Sequence, residues 1–593
     1  MPESLPLASG SPSVAPPSLS ARLWPGWVIL GLMGGAFGIS VTPSINNFVR
    51  FAYMMLGPLV CAVLGATWTL FFSRRSWNER LTVTGMAIIS GGLAWLLSVA
   101  GSGVGIWVHG VPLMIAAVIL GESLGIWSTE TRRIRLIGGL LVLAVGWFPL
   151  VRNEGFRGDY LPEYVWRWTP TKESVLAPAR AAAFDSLQPL EILASTWTVS
   201  DTDWPSFRGH QLQSRAAGVM TPQNWDERPP RVLWKQAIGP GWSSFASVAG
   251  KLFTQEQRSE QEVTACYEAA TGKIIWQSVT PTRFSDVVAG AGPRATPTFD
   301  KGQLFTLGAR GLLTSLDAAN GRVLWQRDLM KEVEAQLPVW GFSGSPVVMG
   351  QSVIVYAGGT GNNGLLAVDR VTGRTLWGIP SKGMNFSSAQ PVTIDDTPMV
   401  VFGGEKEIGL LAVDPTTGKT LWTFRPSEWQ GPPICQPQQI DDHSLIVTLG
   451  DGIGVARIDV RLTSGAWTVE EKWSSNQLKP SFNDHVYHRG YLYGFDQNIM
   501  VCLDAATGQR QWKKGRYGFG QLLLLPQTDQ IIVQAEQGEC IVVAADPQTH
   551  REQGRLNVIS GKTWNHPIIA NQTLYIRNGE EAAALDLHAE SAP

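Results

Sequence analysis

Apolar residues early in the chain gather into five uncharged stretches, at about 23–42, 51–72, 81–100, 104–121 and 136–151. A helix needs about 20 apolar residues to cross the hydrocarbon core of a bilayer. The first three stretches meet that length, and the two shorter ones are flanked by Arg135 and Arg152, whose long stems snorkel. The pattern predicts a bundle of five transmembrane helices over 23–151, after a Pro/Ser-rich, disordered N-terminus at 1–22. Residues 152–230 keep no sustained period and read as a connector or stalk packing partly on the next domain, with one short helix at Ala177–Leu193. From 231 onward the apolar runs become short and closely spaced, as in strands.

Those strands belong to a repeat. Five copies share an acidic residue, Gly four positions on and Trp eight positions on. They start at Glu268, Asp317, Asp369, Asp414 and Asp504 and end at Trp276, Trp325, Trp377, Trp422 and Trp512. The acidic residue and the following Thr or Asn bond turn backbone, and Gly supplies positive φ. The Trp gives a large surface to bury between neighbouring units. Trp473 fits between Trp422 and Trp512, so that successive Trp residues lie 39–52 apart. A period of 40–50 residues with four strands per unit predicts a β-propeller. Units fall at about 243–277, 292–329, 341–378, 385–424, 431–475, 480–514 and 518–557, and an eighth at 564–587 lacks its last strand. Arg231-Val-Leu-Trp234 looks like that strand. The expected fold is therefore a five-helix membrane bundle followed by an all-β, eight-bladed propeller over 231–590, with 231–238 closing the last blade. Trp234, Trp276, Trp325, Trp377, Trp422, Trp473 and Trp512 are its blade-docking residues.

Charge sharpens the division. The chain has 593 residues, 16% charged, with mean hydropathy +0.02 and formal charge −2. Residues 1–151 carry eight Arg and four acidic residues, and the rest carries a net −6. This balance excludes a nucleic-acid footprint. Arg22, the Arg74/Arg75/Arg80 loop and the Arg132/Arg133/Arg135 loop alternate onto one side, against Arg50 on the other. The positive-inside rule makes the Arg-rich side cytoplasmic. With the N-terminus cytoplasmic and five spans of the inner membrane, the propeller faces the periplasm. Gly31/Gly35 and Gly34/Gly38 are small-xxx-small pairs, and His109 and Glu122 are the ionisable residues of the fourth stretch. Cys61, Cys266, Cys435, Cys502 and Cys540 are expected to be buried free thiols.

The Asp-x-x-Thr-Gly-x-x-x-Trp turn resembles the repeat of pyrroloquinoline-quinone (PQQ) type propellers, a family that includes quinoprotein dehydrogenases and the assembly lipoprotein BamB. Gly239–Phe245, Gly292–Thr298, Lys514–Tyr517 and Gly561–Pro567 resemble a bacterial group of PQQ-like propellers common in planctomycetes. Five spans ahead of a propeller resemble membrane-bound quinoprotein glucose dehydrogenase in topology alone. The resemblance implies one of two functions. The first is a membrane-anchored binding or scaffold module for an envelope protein or an anionic ligand. The alternative is a PQQ-dependent dehydrogenase of sugars or alcohols feeding electrons to membrane quinone. The residues assure no cofactor, and the resemblance admits PQQ with Ca2+. Against an enzyme stand the missing adjacent Cys-Cys pair, blades too short for long active-site insertions, and no haem or zinc motif.

Inner-strand starts and second-to-third turns open on one face of a propeller. The residues expected at that ligand-binding mouth are Trp242, Arg258, Arg294, Trp340, Asn483, Asp484, Arg516, Tyr517, Gln521, Trp564, Asn565, His566 and Arg577. Aromatic walls with a few polar anchors make a default binding site, and converging arginines favour an anion. Asp484 and His566 are the weak catalytic candidates as a general base. No metal ligand set is visible.

Overall fold

The computed structural model of the chain describes residues 23–42, 47–99, 103–126, 128–158, 161–171, 173, 197–381, 384–431 and 434–588. The N-terminal segment 1–22 and the expected helix at 177–193 lie outside them. The chain forms two compact units, Met1–Glu154 with Pro162–Thr169, and Gly155–Leu161 with Pro170–Pro593.

The first unit is helical: α1 (Trp24–Val41), α2 (Asn47–Thr67, continued by a π turn over Trp68–Phe72), α3 (Trp77–Leu97), α4 (Gly103–Leu124, with a π turn at Ile106–Gly110) and α5 (Glu130–Val145). Among the described residues five helices are long and apolar enough to cross a membrane. Their outer faces show Ile88, Leu96 and Leu143 largely exposed, a surface suited to hydrocarbon. Ser76 caps α3 by accepting a hydrogen bond from the Glu79 amide. Glu122 pairs with Arg75 at 2.9 Å and Glu79 with Arg133 at 2.5 Å, all four buried. The pairing joins the α2–α3 loop, the start of α3, the end of α4 and the start of α5. His109 meets the Tyr164 hydroxyl at 3.4 Å. Gly31, Gly34, Gly35 and Gly38 face open space, whereas Gly26 and Gly121 meet neighbouring helices closely.

The second unit holds eight four-stranded antiparallel sheets. Seven are consecutive in sequence, beginning with Ala246–Val248, Lys251–Arg258, Gln261–Glu268 and Ile274–Thr280 as blade 1. Blade 8 is Ile568–Ala570, Thr573–Arg577 and Glu581–Asp586, completed on its outer edge by Arg231–Ala237. The Arg231–Ala237 strand gives blade 8 the same four strands as the others, so the ring presents only short outer edges.

Six of the eight blade junctions are fastened by a Trp. The indole N–H of Trp234, Trp276, Trp325, Trp377, Trp473 and Trp512 donates to a carbonyl in the third-to-fourth turn of the following blade, at 2.9–3.2 Å. Except at Trp512, which meets His550 instead, the ring lies against that turn's glycine. At Gly373, φ is +70°, and a Cβ would stand 2.8 Å from the Trp325 ring. Glycine is needed there twice, for the turn and for the approach. The turn's Asp is bound by the amides two and three residues ahead, as Asp369 Oδ1 is by Val371 and Thr372. Those bonds hold its carboxyl below the usual carboxylate range.

Blade 5 lacks the turn: its third and fourth strands run long, Val455–Thr463 and Ala466–Ser475. Trp422, which faces it, is buried without a partner for its N–H. Unfolding of the detergent-solubilised chain by denaturant should separate the two situations. Trp377→Phe is expected to destabilise by about 1 kcal/mol more than Trp422→Phe, the net worth of one hydrogen bond.

Candidate functional site

The central channel is filled from within the chain. Residues 203–216 run across the inner strands of several blades, and the segment continues to Trp225 on the outer strand of blade 7. Trp204 exchanges hydrogen bonds with Ser247 of blade 1, and the Pro205 carbonyl accepts from Phe299 of blade 2. The Gln211 carbonyl accepts from Gln390 of blade 4. Ser214 and Ala216 bond Leu524 of blade 7, and Trp225 docks on Gln553. The packing goes well beyond that of a stalk. Arg208, Gln211, Leu212 and Ser214 all have positive φ, between 51° and 59°. Such a run persists only where the surroundings over-determine it.

Arg208 is the centre of this plug. Its side chain is fully buried and its Nη1 stands 3.3 Å from Asp484 Oδ1. Nε donates to Ser214, and Nη2 donates to Gln438 Oε1 and the His485 carbonyl. Phe207 sets its edge against the His566 ring, centroids 4.8 Å apart. His566 Nε2 lies 3.6 Å from Asp484 Oδ2. Burial pushes the Asp484 carboxyl up and Arg208 draws it back down. Burial and Arg208 together hold His566 well below its usual range, and His485 is lowered to about 3. Asp484 and His566, the candidates for a general base, therefore meet, but Asp484 is neutralised by a guanidinium and the pair is sealed from solvent. Around them Asn483 Nδ2, Gln521 Oε1, Asn565 Oδ1 and His566 Nδ1 are buried without a protein partner.

The aromatic part of the expected mouth does assemble. Trp242 and Trp564 rings lie 4.9 Å apart, Phe482 is 4.8 Å from Trp564, and Phe519 is 5.6 Å from Phe482. This arc runs through blades 6, 7, 8 and 1. Trp340 and Phe386 make a second pair at 4.6 Å on blades 3 and 4. Lys562 Nζ stands 5.0 Å from the Trp564 ring centroid and 5.7 Å from that of Trp242. A short stretch of the unit's own chain rests on the arc. Phe156 donates to the Val288 carbonyl, and its own carbonyl accepts from Lys562 at 3.2 Å. The Gly158 amide donates to Glu536 Oε1, which also accepts from Trp564 Nε1.

Three of the four arginines expected at the mouth are spent on internal partners. Arg258 is paired with buried Glu256 and bonds Gln277. Arg294 pairs with Asp286 and the Gly290 carbonyl, stapling the loop between blades 1 and 2. Arg577 donates to Thr254 and the Gly239 carbonyl, joining blade 8 to blade 1. Arg516 ends the outer strand of blade 6 and is exposed. Tyr517 turns outward, its hydroxyl 2.7 Å from both His550 and Glu552. Gln521 and Asn565 bond backbone carbonyls between blades. Phe482, Phe386, Lys562 and above all Arg208 were missed by sequence reasoning. Glu256 and Asp286, two and eight residues before their arginines, were the available signals.

A family model described as outer membrane protein assembly factor BamB matches residues 225–380, 259–423 and 367–591, overlapping as an internal repeat requires. The chain belongs to that family. No curated protein sequence matches the chain. Among solved structures, BamB from Moraxella catarrhalis is 17% identical over 61% of this chain and 99% of that one, with a TM-score of 0.43. A europium-containing methanol dehydrogenase is 13% identical over 65% and 98%, TM-score 0.50. The quinohemoprotein alcohol dehydrogenase of Comamonas testosteroni is 12% identical over 70% and 85%, TM-score 0.49. At these identities the likeness concerns the fold.

The BamB-family channel seen here does not fit PQQ with Ca2+. Calcium takes six to eight oxygen ligands, carboxylates foremost. Asp484 is the carboxylate among the expected channel residues, and Arg208 already supplies its positive partner. Among the described residues no group of three or more His, Cys, Asp or Glu is placed to hold a metal.

Breaking a buried pair leaves an uncompensated charge and costs about 3–5 kcal/mol. Arg208→Met is expected to lose that much at pH 8. Burial already raises the Asp484 carboxyl above its unfolded value; without Arg208 only the Gln436 amide and Cys435 oppose that rise, so it climbs further. The loss then shrinks as pH falls and the carboxyl protonates. Denaturant midpoints at pH 8 and pH 5 check the sign, and Arg208→Met with Asp484→Asn should recover most of the loss at pH 8.

Proposed function

We propose that this chain is a non-catalytic binding module, anchored in the inner membrane with its propeller in the periplasm, that holds a protein partner on the aromatic arc of its mouth. One observation carries the reading: the end of the Val151–Phe156 strand and the turn at Gly158 lie on that arc, their backbone held by Lys562 and Glu536. A surface that binds backbone in this way is chemically suited to peptide. Trp is among the residues that most often dominate binding energy at protein interfaces, and Phe is enriched in their cores. The family name, an assembly factor for outer membrane proteins, supports a protein partner over a small substrate. The plugged channel and paired arginines weigh against an anionic ligand or a redox cofactor. The alternation of Arg-rich loops supports the orientation.

The full chain in membranes, carrying a photo-crosslinker in place of Trp340, tests the reading. Crosslinked envelope protein is expected from the parent and to fall at least about tenfold on adding Trp242→Ala with Trp564→Ala, since each hot-spot aromatic contributes ~2 kcal/mol or more. Arg516→Ala, away from the arc, should leave it unchanged. Equal crosslinking in all three would reject the mouth as the partner site.

A further inference from the structure

Blades 1 and 2 do not close on each other completely. Between them lies a cavity of about 170 Å³ walled by Gln255, Thr264, Ser278, Thr306 and Thr314, with Glu262 among its lining residues. It lies beside Val279 and Val323, which are 41% and 45% exposed. Glu262 is the second residue of the Gln261–Glu268 strand, opposite Gln257 and Thr280. Its carboxylate reaches blade 2, where Oε2 accepts from the Ala309 amide at 3.1 Å. Gly308 makes that reach possible: its φ is ordinary, but a Cβ there would collide with Oε1. This glycine is explained by the carboxylate and not by the backbone.

Glu262 is buried. Among the described residues no cation forms a salt bridge with it, and the charged group acting on it is Arg294, which is matched by Asp286. An unpaired carboxylate in a protein interior is destabilising, and such a charge is ordinarily met by a partner. We propose that this cleft binds a small organic cation bearing a primary ammonium, with Glu262 as its anchor. An ammonium has three donors and no acceptor. Glu262 Oε1 is free of its backbone bond, and Gln255 spends its Nε2 on the Ala295 and Leu307 carbonyls, which leaves its oxygen for the cavity. Four threonine or serine hydroxyls complete an acceptor-rich wall. The volume suits a molecule of several heavy atoms better than a single bare ion. Burial raises the Glu262 carboxyl to about 7, with the Ala309 amide and Arg294 opposing the rise. Ammonium binding therefore competes with a proton near neutrality.

Isothermal titration of the full detergent-solubilised chain with ethanolammonium chloride at pH 8 is the test, with n-propanol as the neutral control. Saturable 1:1 binding is expected for ethanolammonium and none for propanol. Affinity should fall about tenfold from pH 8 to pH 6 as the carboxyl protonates. Glu262→Gln should weaken it tenfold or more. Ser278→Met fills the cleft and leaves the carboxylate in place, and should have the same effect, which keeps the test decisive if Glu262→Gln fails to fold. Absence of saturable binding to the parent chain, equal binding of propanol, or parent-like affinity in a folded variant would overturn the proposal.

Discussion

An indole lying on a glycine of the next blade is the interaction on which this ring depends. The eight sheets are separate hydrogen-bonded units, so their mutual placement rests on side-chain packing. Trp supplies the area, its N–H fixes rotation against one carbonyl, and the glycine's missing Cβ sets the distance. A β-bulge beside each of these Trp residues, such as the one between Cys266 and Tyr267 opposite Trp276, increases the twist that turns the ring toward its neighbour. The blade cores then fill in behind it with Val, Ile, Leu and Phe at essentially zero exposure.

A ring fastened at its perimeter leaves its axis to be settled separately. Here the axis is settled by residues 203–216, which thread between inner strands and deliver Arg208 to Asp484. The same act removes the base from Asp484 and His566. Chemistry that a polar channel offers in principle is given up for a rigid, closed hub. What remains outward is the aromatic arc of Trp242, Trp564, Phe482 and Phe519.

The perimeter was legible because its three residue types recur at fixed offsets, and five apolar stretches of about 20 residues announced the helices. The eighth blade was legible from an orphaned Trp strand at 231. The plug was not legible: Arg208 sits in a stretch without period, and its partners are about 230–280 residues away. The mouth was legible only in part. Trp242 and Trp564 followed from strand position, which fixes where a side chain begins. It does not say whether a nearby carboxylate takes the charge, and Glu256 and Asp286 did so for Arg258 and Arg294. Cysteines were simpler: Cys266, Cys502 and Cys540 sit in apolar strands, Cys61 in a helix and Cys435 in a loop, and all five are buried and free.

The central claim is that Arg208 closes the axis to a redox cofactor. Reconstituting the purified full chain with PQQ and Ca2+, removing unbound PQQ, and recording the absorption spectrum and dye reduction with glucose and ethanol tests it most directly. The account predicts no retained PQQ and no turnover. Stoichiometric PQQ with substrate-dependent dye reduction would contradict it.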